Sequence, residues 1–294
     1  MTKGKNHNLI GIAYMMIGMF GMAANDAAAK WLVADTYSPF QVIAVRGGFA
    51  TLFLLIWIAL SHQWGQIRTK RPMGHLFRMV ISFLGPTFLF FALRYMPLAD
   101  VTVLIFSAAF LTAILSIPIF KERIGPHRWG AILIGFVGVA VAMRPGTEVF
   151  QPAMLLALLA GLCFAGTNLT SRWLGDTESI LRITLFTLTG TAVLGWLFMP
   201  ALDKPIPPGD LAIMAAMATF TLIGYFFMTR AFVMAPMGLI APFEYTAFVW
   251  AVLFGFLLWG DVPDGFIWGG AFLIVGSGLY LIYREARQTK NPNT

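Results

Sequence analysis

Apolar runs of about twenty residues, separated by short polar or Pro/Gly stretches, follow one another from Leu9 almost to the end of the chain. A bilayer-spanning helix needs ~20 mostly apolar residues. Ten such runs can be counted, at residues 8–33, 39–61, 75–95, 99–119, 127–144, 150–172, 181–199, 210–229, 237–259 and 266–284. Connections such as "RYMPLAD" (Arg94–Asp100) and "WGDVPDG" (Trp259–Gly265) are so short that the runs they join must form antiparallel hairpins. No stretch is left for a soluble domain, and the predicted fold is an all-α integral membrane protein. Lys3, Lys5 and the "AAA" at 27–29 resemble a secretory signal, but the first run is longer than the usual signal core of 7 to 15 residues. It is expected to remain as the first helix.

Composition agrees. The 294 residues are 59% hydrophobic and 11% charged, where a soluble domain carries roughly 25% charged residues. The net charge of +7 has a topological reading. With the amino terminus in the cytoplasm, fifteen of the twenty Lys and Arg fall on that side, Lys30, Arg94, Arg144 and Lys204 fall on the other, and Arg46 lies within a span. This positive-inside bias predicts a multi-pass protein of the bacterial inner membrane with both termini cytoplasmic. It also removes the need for a nucleic-acid partner. Cys163 is the only cysteine, so no internal disulfide can form. There is no G-x-x-x-x-G-K-[ST], and His7, His62, His75 and His127 are assigned to the tail or to loops. Neither an ATP site, a cofactor, a metal site nor a His-based intramembrane enzyme is expected.

The chain repeats itself. "MPLADVTVLIFSAAFLTAILSIPIFKERIGPHRWGAILIGFVGVAVA" from Met96 aligns without a gap, at an offset of 139, with "APMGLIAPFEYTAFVWAVLFGFLLWGDVPDGFIWGGAFLIVGSGLYL" from Ala235. Pro97 meets Pro236, Glu122 meets Asp261, Trp129 meets Trp268 and Gly130 meets Gly269. "GMAANDAAAKWL" likewise matches "CFAGTNLTSRWL". Five spans is an odd number, so the second copy enters the membrane from the opposite side. The expected halves are residues 1–147 and 148–294, each of five helices, and inverted repeats are the architecture of many alternating-access carriers.

Ten spans in two inverted halves, with the pattern "P...A......F.....F....ER..P..W.GA.LI..GV" closing each, resemble the drug/metabolite transporter superfamily and within it the EamA-type exporters. The resemblance covers essentially the whole chain. It implies a basket of ten helices around a central cavity, with the fourth and ninth spans among its walls and the fifth and tenth at the periphery. It also implies export of amino acids, aromatic or otherwise apolar, or of related small metabolites, while relatives carry riboflavin, nucleosides or cationic drugs. The second copy departs from the pattern, reading "GDVPDG" where the first reads "KERIGP". A small-molecule substrate, the lipid bilayer and a monomer are the expected partnerships.

A charge at the centre of a bilayer helix costs on the order of 3 kcal/mol or more, so each needs a reason. Three ionisable residues are read as lying deep in spans: Asp26, Arg46 and Glu244. Asp26 and Arg46 lie about 10 Å in from the same side on adjacent helices. They are expected either to pair structurally or to leave Asp26 facing the cavity. Glu244 lies near the midplane with no basic residue level with it, and Ile105 occupies its place in the first repeat. Its candidate roles are proton coupling, holding a substrate ammonium, or a structural hydrogen bond. Pro242, Pro86 and Pro118 remove backbone hydrogen bonds and serve as hinges or as ordinary membrane prolines. Tyr245, Phe248, Phe106, Ser107, Asn25, Thr87, Asn168, Tyr225 and Thr229 complete the candidates for lining a cavity. Gly130, Gly135, Gly138, Gly269, Gly270, Gly276 and Gly278 are expected to serve close helix packing.

Overall fold

The computed structural model describes residues 2–121, 125–147, 149–199 and 204–290. Helices account for nearly all of the described chain: α1 (Thr2–Val33), α2 (Pro39–Leu60), α3 (Pro72–Leu93), α4 (Leu98–Ile105), α5 (Ser107–Phe120), α6 (Pro126–Met143), α7 (Pro152–Gly175), α8 (Ile180–Phe198), α9 (Pro208–Met234), α10 (Met237–Ile240), α11 (Thr246–Trp259) and α12 (Gly265–Lys290). They make ten segments long and apolar enough to cross a membrane. The fourth crossing is α4 with α5, and the ninth is α10, a 3-10 turn over Ala241–Tyr245, and α11. The first and last described residues therefore lie on one face, here the terminal face. Proline starts most helices from the first or second position, where its missing N–H costs nothing.

The inverted repeat is visible in the packing. α1 packs on α9 and its counterpart α7 on α3, while α2 meets its own counterpart α8 and α6 meets α12. Local devices repeat as well. Ser38 and Ser179 cap α2 and α8 identically, each accepting a bond from the backbone N–H three residues on, at 3.2 Å. Lys121 and Gly260, equivalent at the offset of 139, both end their helices in the left-handed conformation, with φ of 55° and 71°.

Without a hydrophobic force between helices in lipid, close backbone approach carries the association. A Cβ added to Gly195 would lie 2.7 Å from the Ala44 backbone nitrogen, and one on Gly270 would lie 2.7 Å from the Gly138 carbonyl oxygen. Gly138 is close-packed in the same way and Gly135 seats the Phe110 ring, whereas Gly130 and Gly276 have open space around them and line an outward groove of about 460 Å³ between α6 and α12. A second outward groove of about 550 Å³ runs between α3, α5 and α7.

Polar ties close both faces. On the opposite face Lys30 pairs with Asp261 at 2.8 Å, Arg144 with Asp264, and the Tyr37 hydroxyl donates to Asp210 at 2.6 Å. Burial, then the bond and charge of Asp210, push the Tyr37 hydroxyl up to about 12. On the terminal face, Glu178 accepts bonds from the Thr69 hydroxyl at 2.8 Å, the Lys70 amide at 2.9 Å and the Arg182 guanidinium. Tyr37 and Glu178 each precede the capping serine of their repeat, so these two ties occupy equivalent corners. Both cross from one half to the other.

The boundaries expected from the sequence hold to within a few residues, except where the fourth and ninth spans break. Four assignments change. His75, assigned to a loop, lies in the first turn of α3 at 1% exposure. His7 and His127 also lie within helices, α1 and α6. Arg78, counted among the basic residues of one face, is a buried member of α3.

Gly195→Ala is expected to cost about 1 to 3 kcal/mol, because rigid backbone must move, while Gly130→Ala should be near neutral. Thermal melting in detergent compares them. Burial alone would raise the Glu178 carboxyl, but its bonds to Arg182, Thr69 and the Lys70 amide outweigh that and pull it from 4.5 down to about 2. A depressed carboxyl stabilises the fold fully above its unfolded value and loses that contribution as pH falls towards its folded one. The melting-temperature gap between the native protein and Glu178→Gln should therefore be constant above about pH 4.5 and shrink between about 4.5 and 2.

Candidate functional site

The two broken helices place the site. Pro242 has no N–H to give to the preceding turn, so the ninth crossing tightens into the 3-10 turn that carries Glu244. The fourth crossing breaks at Phe106, where the hydrogen bonds shift from Phe106 N–H to Thr102 O to Ala109 N–H to Phe106 O, both at 3.2 Å. No proline causes that second break: α5 runs on past Pro118 to Phe120 and α3 runs unbroken through Pro86. Of the three hinge candidates, only Pro242 sits at a break.

Phe106 and Tyr245 are equivalent at the repeat offset, and their rings meet edge to face, 5.1 Å apart at 87°. The pseudo-twofold of the molecule thus passes through an aromatic pair. The Tyr245 hydroxyl fits against Gly278, where an added Cβ would lie 1.7 Å from it, so Gly278 serves this ring and not helix packing alone. Glu244 is half-buried beside the pair, and its carboxylate has no hydrogen-bond or ion-pair partner among the described residues.

A polar hub lies elsewhere in the interior, where α1, α2 and α9 meet. Asn25 Oδ1 accepts from Arg46 Nη1 and from the Thr221 hydroxyl, both at 3.1 Å, while Asn25 Nδ2 donates to Asp26 at 2.9 Å. The direct Asp26–Arg46 pair read from the sequence is therefore replaced by a relay through Asn25. Arg46 also lies over the Phe90 ring at 5.4 Å. The second repeat carries a matching hub, in which the Ser82 and Thr167 hydroxyls are 3.3 Å apart. Arg78 donates there to the Thr187 and Ser171 hydroxyls at 2.8 and 2.7 Å, to Thr170 at 3.0 Å and to the Thr167 carbonyl at 2.6 Å. Thr167 is equivalent to Asn25, Ser82 to Thr221, and Thr187 to Arg46, so each hub holds one guanidinium delivered from a different helix.

The remaining candidates divide. Tyr225 is 40% exposed yet lies within electrostatic range of both Arg46 and Arg78. Asn168, the repeat equivalent of Asp26, is exposed. Ser107 is fully buried against Gly161 of α7, the Thr87 hydroxyl is spent on the Phe83 carbonyl at 2.7 Å, and Phe248 packs edge-on to Trp268. None of these three lines the Glu244 region by its contacts. Sequence reading missed Arg78, Ser82, Thr187 and Thr221. The signal available was the repeat offset of 139, which, carried back from Met96 into the third span, sets Ser82 against Thr221.

Ten helices in two inverted halves, with polar hubs and an unpaired carboxylate where the halves meet, define a small-solute carrier of the membrane. The model of the EamA-like transporter family matches residues 9–144 and again residues 151–284, and the chain belongs to that family, within the drug/metabolite transporter superfamily. An S-adenosylmethionine uptake transporter of Rickettsia felis is 28% identical, over 95% of this chain and 94% of its own. A riboflavin transporter of Rhizobium johnstonii is 27% identical, over 97% and 94%, and one of Vibrio cholerae 24% identical, over 97% of each. A crystal structure at 20% identity superposes with a TM-score of 0.62, over 96% of this chain and 98% of that one, which bears out the fold.

Gly278→Ala should displace Tyr245 and lower transport, and Tyr245→Phe in the same chain should recover part of it by removing the clashing hydroxyl. Initial rates in vesicles for the two variants and their combination measure this.

Proposed function

We propose that the chain is an alternating-access transporter of a small metabolite with an amino-acid end and an aromatic or heterocyclic body, S-adenosylmethionine being the first candidate. The observation that carries this reading is the unpartnered Glu244 carboxylate beside the Phe106–Tyr245 ring pair. A carboxylate against aromatic faces suits a cationic group attached to a flat ring system. An ammonium or sulfonium would meet the carboxylate and the rings, and a purine would stack on the same rings. The names of the Rickettsia relatives point the same way.

Glu244 is also the coupling group in this reading. A carboxylate that no protein group holds changes its protonation as its access to water changes, and alternating access supplies that change. The positive-inside bias supports cytoplasmic termini. Riboflavin is the second reading, favoured by the relatives named for it and by the ring pair. Export of amino acids, the expectation from the sequence, is tested in the same assay.

Purified protein in liposomes with an imposed pH gradient, supplied with labelled S-adenosylmethionine, riboflavin and phenylalanine in both orientations, decides between them. S-adenosylmethionine should be exchanged and stimulated by the gradient, and Glu244→Gln should lose the stimulation while melting like the native protein. Full gradient stimulation in Glu244→Gln would falsify the coupling role. Transport of riboflavin alone would establish the second reading.

A further inference from the structure

Arg46 and Arg78 stand apart from the other buried charges. They are 8% and 7% exposed, and neither belongs to any of the ion pairs among the described residues. Among the described residues, the other fully buried charges are matched, Glu178 with Arg182 and Lys30 with Asp261. Neutral groups hold the two arginines instead: an amide and a hydroxyl for Arg46, hydroxyls and a carbonyl for Arg78. Such partners orient a guanidinium without neutralising it; the Asp26 carboxylate, held on the same Asn25, is within electrostatic range of Arg46 but makes no direct pair with it, and Arg78 has no carboxylate beside it among the described residues. A charge left in a bilayer this way is costly, so the arrangement asks for an anion.

The forks are also incompletely used. Arg46 spends only Nη1, and Arg78 spends Nε and Nη1. Arg46 Nε and Nη2 and Arg78 Nη2 have no partner among the described residues, and none of the three is among the sealed unsatisfied atoms. They remain open to the interior. Tyr225 is close enough to feel both arginines.

Depth completes the picture. Arg46 is seven residues from the start of α2 and Arg78 six from the start of α3, helices that enter from opposite faces. At 1.5 Å per residue they lie about 10 and 9 Å in. In a ~30 Å core they flank the midplane, one nearer each face.

We propose that Arg46 and Arg78 are two halves of an anion site that holds the carboxylate of the substrate, with the Tyr225 hydroxyl as a further donor between them. A guanidinium fork matches a carboxylate geometrically and binds it through charge-assisted hydrogen bonds. The half nearer the open face receives the anion, and the inverted repeat supplies an equivalent half for the other access state. A site of this kind selects substrates that carry a carboxylate. This rests on the amino-acid end in the functional reading above.

Phenylacetate and its neutral counterpart 2-phenylethanol test the site without assuming the substrate. In detergent, phenylacetate should raise the melting temperature of the native protein and 2-phenylethanol should not. Arg46→Lys and Arg78→Lys, which keep the charge but lose the fork, should weaken the phenylacetate response about tenfold. Tyr225→Phe, at an exposed position, should weaken it less, and it decides the matter if both lysine variants fail to fold. No stabilisation by phenylacetate, an equal response to the alcohol, or folded variants with the native response overturns the proposal. In liposomes, the native protein should prefer S-adenosylmethionine to its decarboxylated form, and Arg46→Lys should erase that preference. If S-adenosylmethionine is not transported but the phenylacetate response and its loss in the variants persist, the functional reading fails and the anion site stands.

Discussion

Asn25 Oδ1 takes two hydrogen bonds at once, from Arg46 of α2 and from Thr221 of α9, while the amide nitrogen of the same side chain holds Asp26. Three helices from both halves of the chain meet at that one amide. Hydrocarbon offers no hydrogen bonds to a polar group that turns outward, so these side chains have to find one another. Once they do, the faces of α1, α2 and α9 that look inward are set. The small residues then decide how closely the backbones approach, as where Gly18 and Gly21 of α1 lie against α9.

The same logic, run through the inverted repeat, builds the second hub around Arg78. The copies are equivalent in position and different in chemistry: Thr167 stands for Asn25, Asn168 for Asp26 and Thr187 for Arg46. Duplication supplied the geometry, and divergence placed charge unevenly on it. Glu244 against Ile105 and Tyr245 against Phe106 are further cases. A near-symmetric scaffold thereby surrounds residues that are not themselves symmetric.

The breaks in the fourth and ninth crossings show how one backbone solution is reached by two routes. Pro242 forces the 3-10 turn in the ninth, whereas Phe106 allows a single tightened bond in the fourth. Non-helical backbone at membrane depth is tolerated only where protein or a water-filled cavity covers it, and both breaks lie at the centre, against one another.

Ten spans, their short connections, the inversion and the isolation of Glu244 were all legible in the amino-acid sequence. They follow from apolar run length, from counting an odd number of crossings, and from the rarity of charge in lipid-spanning segments. Arg78 and His75 were misplaced because a helix start is blurred by a polar first turn, and the tertiary structure draws both inward against α7 and α8. The relay of Asp26 and Arg46 through Asn25, the break at Phe106 and the seating of Tyr245 on Gly278 were not legible at all. Each depends on which side chains from distant parts of the chain come within hydrogen-bond or ring-contact distance. Hydrophobic patterning sets which residues enter the membrane, but the direction each one faces is decided only by packing against its neighbours.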